Sequence, residues 1–381
     1  MRVLPCVAAM TFALAGCGGG QFASHRSASP APPPAVAASQ PAPTQTPATS
    51  PLTSLIAVAD EGGDGRITLS LSSLDGHQLA HTTLAPSAPW QGFGVGAGML
   101  TFVDRNELKG LTPSNTVETL GPLAGYTAGP VIVSPDGQHW MWSSSSPSGT
   151  STNSKLMLAT RGAPDRVVAQ ETSEQNHLQP LRWTAAGPTY DRIPMGIGGY
   201  ILFGDSTRGP SYRFDVVTGQ VTPVLTGSNC YLADMAMDGT IACVGGTSQS
   251  GVSLVVLSPA GHVVEVPLPR PAFNQEGAIA FAPGSGGTTL VIGGATGAGA
   301  DGAQERYETD VLDVGSREMR HLGPAGLRPA DGPWSWLPDG SLVAYRPAGA
   351  FGGDPGIYAV APDGTARKVL SSGTPLGVIA G

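Results

Sequence analysis

Covalent, acid–base and metal chemistry usually runs through histidines, carboxylates and cysteines, and in this chain of 381 residues these are thinly spread. The seven histidines, at positions 25, 77, 81, 139, 177, 262 and 321, are scattered and suggest no zinc site. No Gly-x-Ser-x-Gly elbow occurs, which argues against a serine nucleophile of the α/β-hydrolase type. Asp60 and Asp64 are oxygen ligands of the kind a hard cation such as Ca²⁺ prefers, but their spacing with Glu61 matches no known loop motif. With Gly62, Gly63 and Gly65 between and beside them, they read as a solvated acidic turn. No catalytic residue, metal or cofactor is therefore expected.

Two cysteines lie in the body of the chain. Cys230 and Cys243 flank a Met237-Asp238-Gly239 turn, and an oxidising compartment would allow them to bridge. An ideal hairpin sets Cys230 opposite Thr247 rather than Cys243, so the pair is either bridged through a bulge or slip or left as two thiols. The other two cysteines stand in the N-terminal segment, where Arg2 and the free amine precede an apolar run from Val3 to Ala13 that is too short to span a bilayer. That run ends in Leu14-Ala15-Gly16-Cys17, followed by Gly18-Gly19-Gly20.

These four residues resemble the lipobox of bacterial lipoproteins. The resemblance implies that residues 1–16 are a signal peptide cut before Cys17, and that the Cys17 thiol carries a diacylglyceryl group. Acyl chains bind membranes at about 0.8 kcal/mol per buried CH₂, so several on one cysteine anchor firmly. Gly18 rather than Asp after the cysteine is compatible with the outer membrane of a Gram-negative cell. From residue 17 to 53 the chain is rich in Ala, Pro, Ser, Thr and Gln with no apolar periodicity, a composition that cannot offset its ordering entropy. It reads as a semi-stiff tether favouring polyproline II. The localisation expected is the extracytoplasmic side of a bacterial membrane. Net charge of −8 and no basic cluster argue against nucleic acid as a partner.

The elements that would position any site are strands. From residue 54 to 381 short apolar or alternating runs are separated by turns of Gly, Pro, Asp and Asn, the pattern of an all-β protein. One kind of turn joins two apolar runs: Ser134-Pro135-Asp136-Gly137, Ala236-Met237-Asp238-Gly239, Ala282-Pro283-Gly284-Ser285 and Leu337-Pro338-Asp339-Gly340, with weaker members at Gly96 to Gly98 and Ala185 to Gly187. A second kind follows a run such as Leu-Val-Val-Leu and includes Leu74 to His77, Val217 to Gln220, Pro259 to His262 and Pro362 to Thr365. Their alternation describes a four-stranded unit repeated about every 47 residues, near the length of a propeller blade. The first kind would join strands A and B and the second strands C and D.

There are seven C–D turns and six A–B turns. A ring closed by mixing the chain ends in one blade predicts that deficit: Pro375 to Ala380 supplies strand A, and Leu55 to Asp60, Arg66 to Leu71 and Gln78 to Leu84 supply B, C and D. The fold expected is a seven-bladed β-propeller, with six or eight blades as alternatives because Tyr190 to Pro210 is irregular. The repeats resemble those of TolB-like and WD-type propellers, whose Ser-Pro-Asp-Gly turns look like the one at Ser134. No unit ends in Trp-Asp, which disfavours a standard WD repeat.

In such a blade the A–B and C–D turns share one face, and the B–C loops and blade-to-blade links share the other. The second set is longer and more varied, and includes the Ser143 to Asn153 run, so binding is expected there. Trp90, Arg105, Asp191, Glu276, Trp334 and Arg346 are the ligand-binding candidates on it. The reading that follows is a non-catalytic module that binds a protein, peptide or glycan. The alternative is a propeller enzyme of lactonase, lyase or glycosidase type, which would need carboxylates such as Asp60, Glu107, Asp191 and Glu276 to converge at the channel mouth.

Overall fold

The computed structural model describes residues 54–86, 92–127, 129–194, 211–225, 230–247, 251–268, 275–296, 306–329, 336–348 and 353–379. These form seven four-stranded antiparallel sheets arranged as the blades of a propeller. Blade 1 takes its inner strand from the C-terminus, Thr374–Ile379, and its other three from Leu55–Glu61, Ile67–Ser73 and Gln78–Leu84. Leu55 faces Ile379 on one side and Ser73 on the other, so the two chain ends close the ring by backbone hydrogen bonding. Blades 2 and 3 follow from Gly94 to Pro122 and from Ile132 to Ser173. Blade 4 is built from Asn176–Thr184, Gly187–Pro194, Ser211–Phe214 and Val221–Leu225. Blade 5 comprises Cys230–Met235, Ile241–Thr247, Gly251–Leu257 and Val263–Pro267, and blade 6 runs from Gln275–Phe281 to Glu318–His321. Blade 7 runs from Arg328–Pro329 to Ala366–Leu370. No helix among the described residues is long and apolar enough to cross a membrane.

What holds the ring is one apolar cluster at each seam between blades. Leu69 and Leu71 of blade 1 meet Leu100 and Phe102 of blade 2, and Leu108 and Leu123 meet Trp140 and Trp142 across the next seam. Met141 and Leu156 then meet Leu178 and Tyr190, and further round Val244 and Leu254 meet Ile279 and Leu290. Val291 and Val311 meet Leu342 and Ala344, and Val343 and Ile357 meet Ile56 and Val58 to complete the circle. Alternation makes this possible: strand residues of one parity face the preceding blade and those of the other the following one. Each fully buried side chain of this size contributes about 1.5–3 kcal/mol. The seam between blades 4 and 5 is the thin one. Among the described residues its buried cluster is Met235, Ile241 and Cys243, three residues against twelve at the seam between blades 5 and 6.

One detail departs from the expectations above, and one question left open there is answered. The Ser143 to Asn153 run is not a loop: strands His139–Ser148 and Ser151–Thr160 continue through it in unbroken register, and Gly149 and Thr150 alone make the turn. The hydroxyl-rich run is taken up by the paired strands, and Gly149, at φ 64°, supplies the left-handed backbone of the turn. In blade 5 the register slips between Leu232 and Asp234, so that Cys230 faces Gly245 and Leu232 faces Cys243. The bulge brings the two cysteines to diagonal positions with Cα atoms 5.5 Å apart, and they are bridged by a disulfide.

The turn at Ser134 shows how these hairpins are locked. The Gly137 N–H donates to Ser134 O at 2.9 Å, the Gln138 N–H donates to Asp136 Oδ1 at 3.0 Å, and the Ser134 hydroxyl donates to the same oxygen. Gly137 has φ 67°, and a Cβ there would meet Ala97 Cβ of blade 2 at 3.1 Å. Gly137→Ala is therefore expected to lower stability by about 1–2 kcal/mol, read as a reduced urea midpoint. The Ser134 hydroxyl and the Gln138 N–H together hold the Asp136 carboxyl below its usual value of 3.8. A group whose pKa is depressed on folding stabilises above its unfolded pKa, and that contribution is lost as pH falls through the folded pKa. On acidification from about pH 6 to pH 3, Asp136→Asn should therefore lose less of its urea midpoint than the wild type does.

Candidate functional site

Inner strands of blades 4, 5 and 6 end at a single concavity of about 370 Å³. Its wall is Arg182 and Trp183 at the end of the blade 4 inner strand, Met235 to Asp238 from the A–B turn of blade 5, and Phe281 to Gly284 with Gly286 from that of blade 6. The lining is mostly apolar. Met237 projects at the mouth, half exposed at 54%. Behind the pocket Trp183 stacks on His139 of blade 3, with ring centroids 6.0 Å apart and planes 15° from parallel, and His139 Nδ1 lies 2.9 Å from Thr160 Oγ1. The aromatic wall is thus braced from two blades.

The buried charged groups of this site are spent on one another. Asp234, whose side chain is fully buried, forms an ion pair through Oδ1 with Arg182 Nη2, and its Oδ2 accepts the Phe281 N–H at 2.7 Å. Arg182 also donates through Nη1 to Met235 O. One carboxylate therefore ties blade 5 to blade 4 through a guanidinium and to blade 6 through a backbone amide. Burial pushes the Asp234 carboxyl up, while Arg182 and the Phe281 and Met235 N–H groups pull against it. The buried pair is thus engaged within the floor, and among the described lining residues the remaining charged group is Asp238 at the mouth, whose Oδ1 accepts the Thr240 N–H at 2.9 Å. The arrangement offers an apolar recess with a rigid polar floor, suited to accept a side chain.

The pocket lies on the tight-turn face, not the face of varied loops. Of the residues named from sequence, Arg105, Asp191 and Arg346 lie on blades 2, 4 and 7, away from this pocket. Trp90 and Trp334 lie outside the described residues, as do the signal segment, Cys17 and the tether. Arg105 is exposed in blade 2, where it and Asn106 form a two-residue hairpin turn with φ of 53° and 63°. Asp191 is buried on the second strand of blade 4 and accepts the Arg192 N–H at 2.8 Å. The Arg192 guanidinium reaches away from it, to Glu171 of blade 3. Glu276 has its backbone in the inner strand of blade 6. Arg346 is buried at 6% and is a structural clamp: Nη2 donates to Ala325 O at 2.7 Å, Nη1 to Asp354 O at 3.2 Å, and the guanidinium lies over the Tyr358 ring.

The carboxylates that an enzyme would bring together stand on different blades. Asp60 is exposed on blade 1 and accepts a hydrogen bond from Ser372 at 2.9 Å. Asp64 pairs with Arg66 at 3.5 Å in the same hairpin loop, and Glu107 of blade 2 lies 3.6 Å from Lys109. Asp191 is on blade 4 and Glu276 on blade 6. Among the described residues no group of three or more His, Cys, Asp or Glu is placed to hold a metal ion. His77 and His81 are four apart, but they lie in and just after a C–D turn, where four extended residues span about 13 Å, too far for one ion.

The sequence did hold a faint signal for the pocket. At the second turn position, where two sibling turns carry Pro135 and Pro338, blade 5 has Met237. Turn chemistry has no use for an exposed methionine there. Asp234, an acid inside an inner strand, is the other departure from pattern.

No protein-family model and no curated protein matches the chain. Solved structures do. An oligogalacturonate lyase from Vibrio parahaemolyticus is similar over 82% of this chain and 92% of its own, at 12% identity and a TM-score of 0.50. What they share is the fold. TolB from Acinetobacter baumannii is similar over 70% of this chain at 18% identity and a TM-score of 0.45, and this chain spans 62% of the TolB length. An acylaminoacyl peptidase from Pyrococcus horikoshii is similar over 82% of this chain and 52% of its own, at 10% identity and a TM-score of 0.48.

Truncating one partner of a buried ion pair strands the other charge, at a cost of about 3–5 kcal/mol. Arg182→Met and Asp234→Asn should each show a loss of that order in urea unfolding. The double variant should be clearly more stable than the sum of the singles implies, because neither charge is then left alone.

Proposed function

We propose that this protein is a lipid-anchored, non-catalytic binding module of the bacterial envelope, and that its binding site is the apolar pocket where blades 4, 5 and 6 meet. The observation that carries the reading is an open apolar recess whose buried charges, Arg182 and Asp234, are paired with each other, leaving a single carboxylate, Asp238, at its mouth. A site built for turnover keeps a nucleophile or an acid–base pair facing its substrate. This one is lined by Trp183 and Phe281, with Met237 exposed at its mouth. The anchor is supported by the apolar run, by Leu14-Ala15-Gly16-Cys17 and by the proline-rich stretch that follows. Anchoring to a membrane suits a module that must hold a partner near the cell surface.

Two measurements test it. Cells grown with an alkyne fatty acid should label the wild-type chain and not Cys17→Ser, and the variant should leave the membrane fraction. An unlabelled wild type contradicts the anchor. The neutral apolar probe N-phenyl-1-naphthylamine should bind the full-length protein saturably at one site, with energy transfer from Trp183 that Trp183→Phe reduces. Ala282→Phe, which fills the recess, should weaken binding by about tenfold or more. Binding unchanged by Ala282→Phe contradicts the pocket.

A further inference from the structure

The surface around the pocket carries a chemical bias. Among the described residues, exposed large apolar side chains gather at the tight-turn face: Met237 in an A–B turn, Val217 in a C–D turn, and Leu79, Val117, Val221 and Val263 where outer strands leave their C–D turns. Val167 lies further along its strand. Two of these turns also carry an acid, Asp238 beside Met237 and Asp215 beside Val217, and other turns of this face are acidic without an exposed large apolar side chain. Asp136, Asp215, Asp238, Asp313, Asp339 and Asp363 each accept a backbone N–H of their own turn at 2.8–3.0 Å.

Of the described cations on this face only Arg182 is neutralised by an ion pair, while Arg166 and Arg367 are exposed, tied to carbonyl oxygens and still charged. Arg182 is held by Asp234, Arg166 donates to Val216 O at 2.8 Å and lies over the Phe214 ring, and Arg367 donates to Leu74 O at 2.7 Å. Arg161 and Arg317 are exposed, beside C–D turns on the outer rim. At the mouth of the pocket itself the charged group left to meet a ligand is Asp238.

We infer that the pocket receives one aromatic or leucine-sized side chain of an extended peptide segment, and that Lys or Arg residues flank that side chain in the partner. The inference rests on the pocket being the binding site and adds the class of partner. A recess of about 370 Å³ accommodates one such side chain, and Asp238 at its mouth, on a chain of net charge −8, complements basic neighbours while repelling acidic ones. The surface of an anionic membrane is disfavoured by the same charges.

Fluorescein-labelled Lys-Lys-Phe-Lys-Lys, Glu-Glu-Phe-Glu-Glu and Lys-Lys-Ser-Lys-Lys peptides, titrated against the full-length protein in neutral detergent, separate the possibilities by anisotropy. The basic phenylalanine peptide should bind saturably. The acidic one and the serine one should each bind about tenfold more weakly or worse. Asp238→Asn should weaken the basic peptide about threefold or more and flatten its dependence on salt. Met237→Ser, an exposed substitution that keeps the fold, should weaken both phenylalanine peptides. Equal binding of the basic and acidic phenylalanine peptides, both sensitive to Met237→Ser, would overturn the basic partner and leave the pocket standing. Binding that ignores both the phenylalanine and Met237→Ser would overturn the pocket as well. Absence of saturable binding by the basic phenylalanine peptide overturns the inference outright.

Discussion

Between blades 4 and 5 the ring depends on one buried carboxylate. Every other seam is filled by an extended apolar cluster, but here the described cluster is small, and Asp234 takes on the joining of three blades. Such a pair is expensive to desolvate, and its geometry must be well satisfied to break even. Asp234 meets that demand by dividing its oxygens between a guanidinium and a backbone N–H, and Arg182 by adding a bond to Met235 O. The bulge that places Asp234 lies within the span of the Cys230–Cys243 disulfide, so the covalent bridge and the ion pair fix the same inner strand.

The pocket is a consequence of that arrangement. A seam held by polar contacts at its inner end does not need apolar side chains to fill the space above them. Trp183 lines the recess together with Met235 and Phe281, which are also buried members of the clusters on either side of blade 5. The rigid floor and the half-exposed Met237 give the recess the features of a recognition site. Its buried charges are held by each other, and Asp238 stands at its mouth. Similarity to the lyase structure concerns the fold, and a fold carries many functions.

Much of this architecture was legible in the sequence because propeller turns are local. Ser-Pro-Asp-Gly specifies its hairpin within a few residues, and the deficit of one A–B turn identifies the closure that pairs Leu55 with Ile379. The pocket was not legible, since its walls come from residues about 50 apart that meet only once the ring is formed. Position misled in the same way at Arg346, which sits near the varied face but is buried and bonded to two carbonyls. The disulfide depended on a one-residue bulge that an ideal hairpin register does not contain. The Ser143 to Asn153 run reads as a loop in sequence because hydroxyl-rich segments suit turns and exposed strands alike, and the paired strand sets its register.

The central claim is that partners engage the tight-turn face at the blade 4 to 6 pocket. Photo-crosslinking in living cells addresses it directly, with benzoyl-phenylalanine placed at Met237 in one strain and at Thr150, in the hairpin turn on the opposite face, in another. The account predicts a discrete adduct from position 237 and none from position 150. An adduct from position 150 alone would move the binding site to the varied face and contradict it.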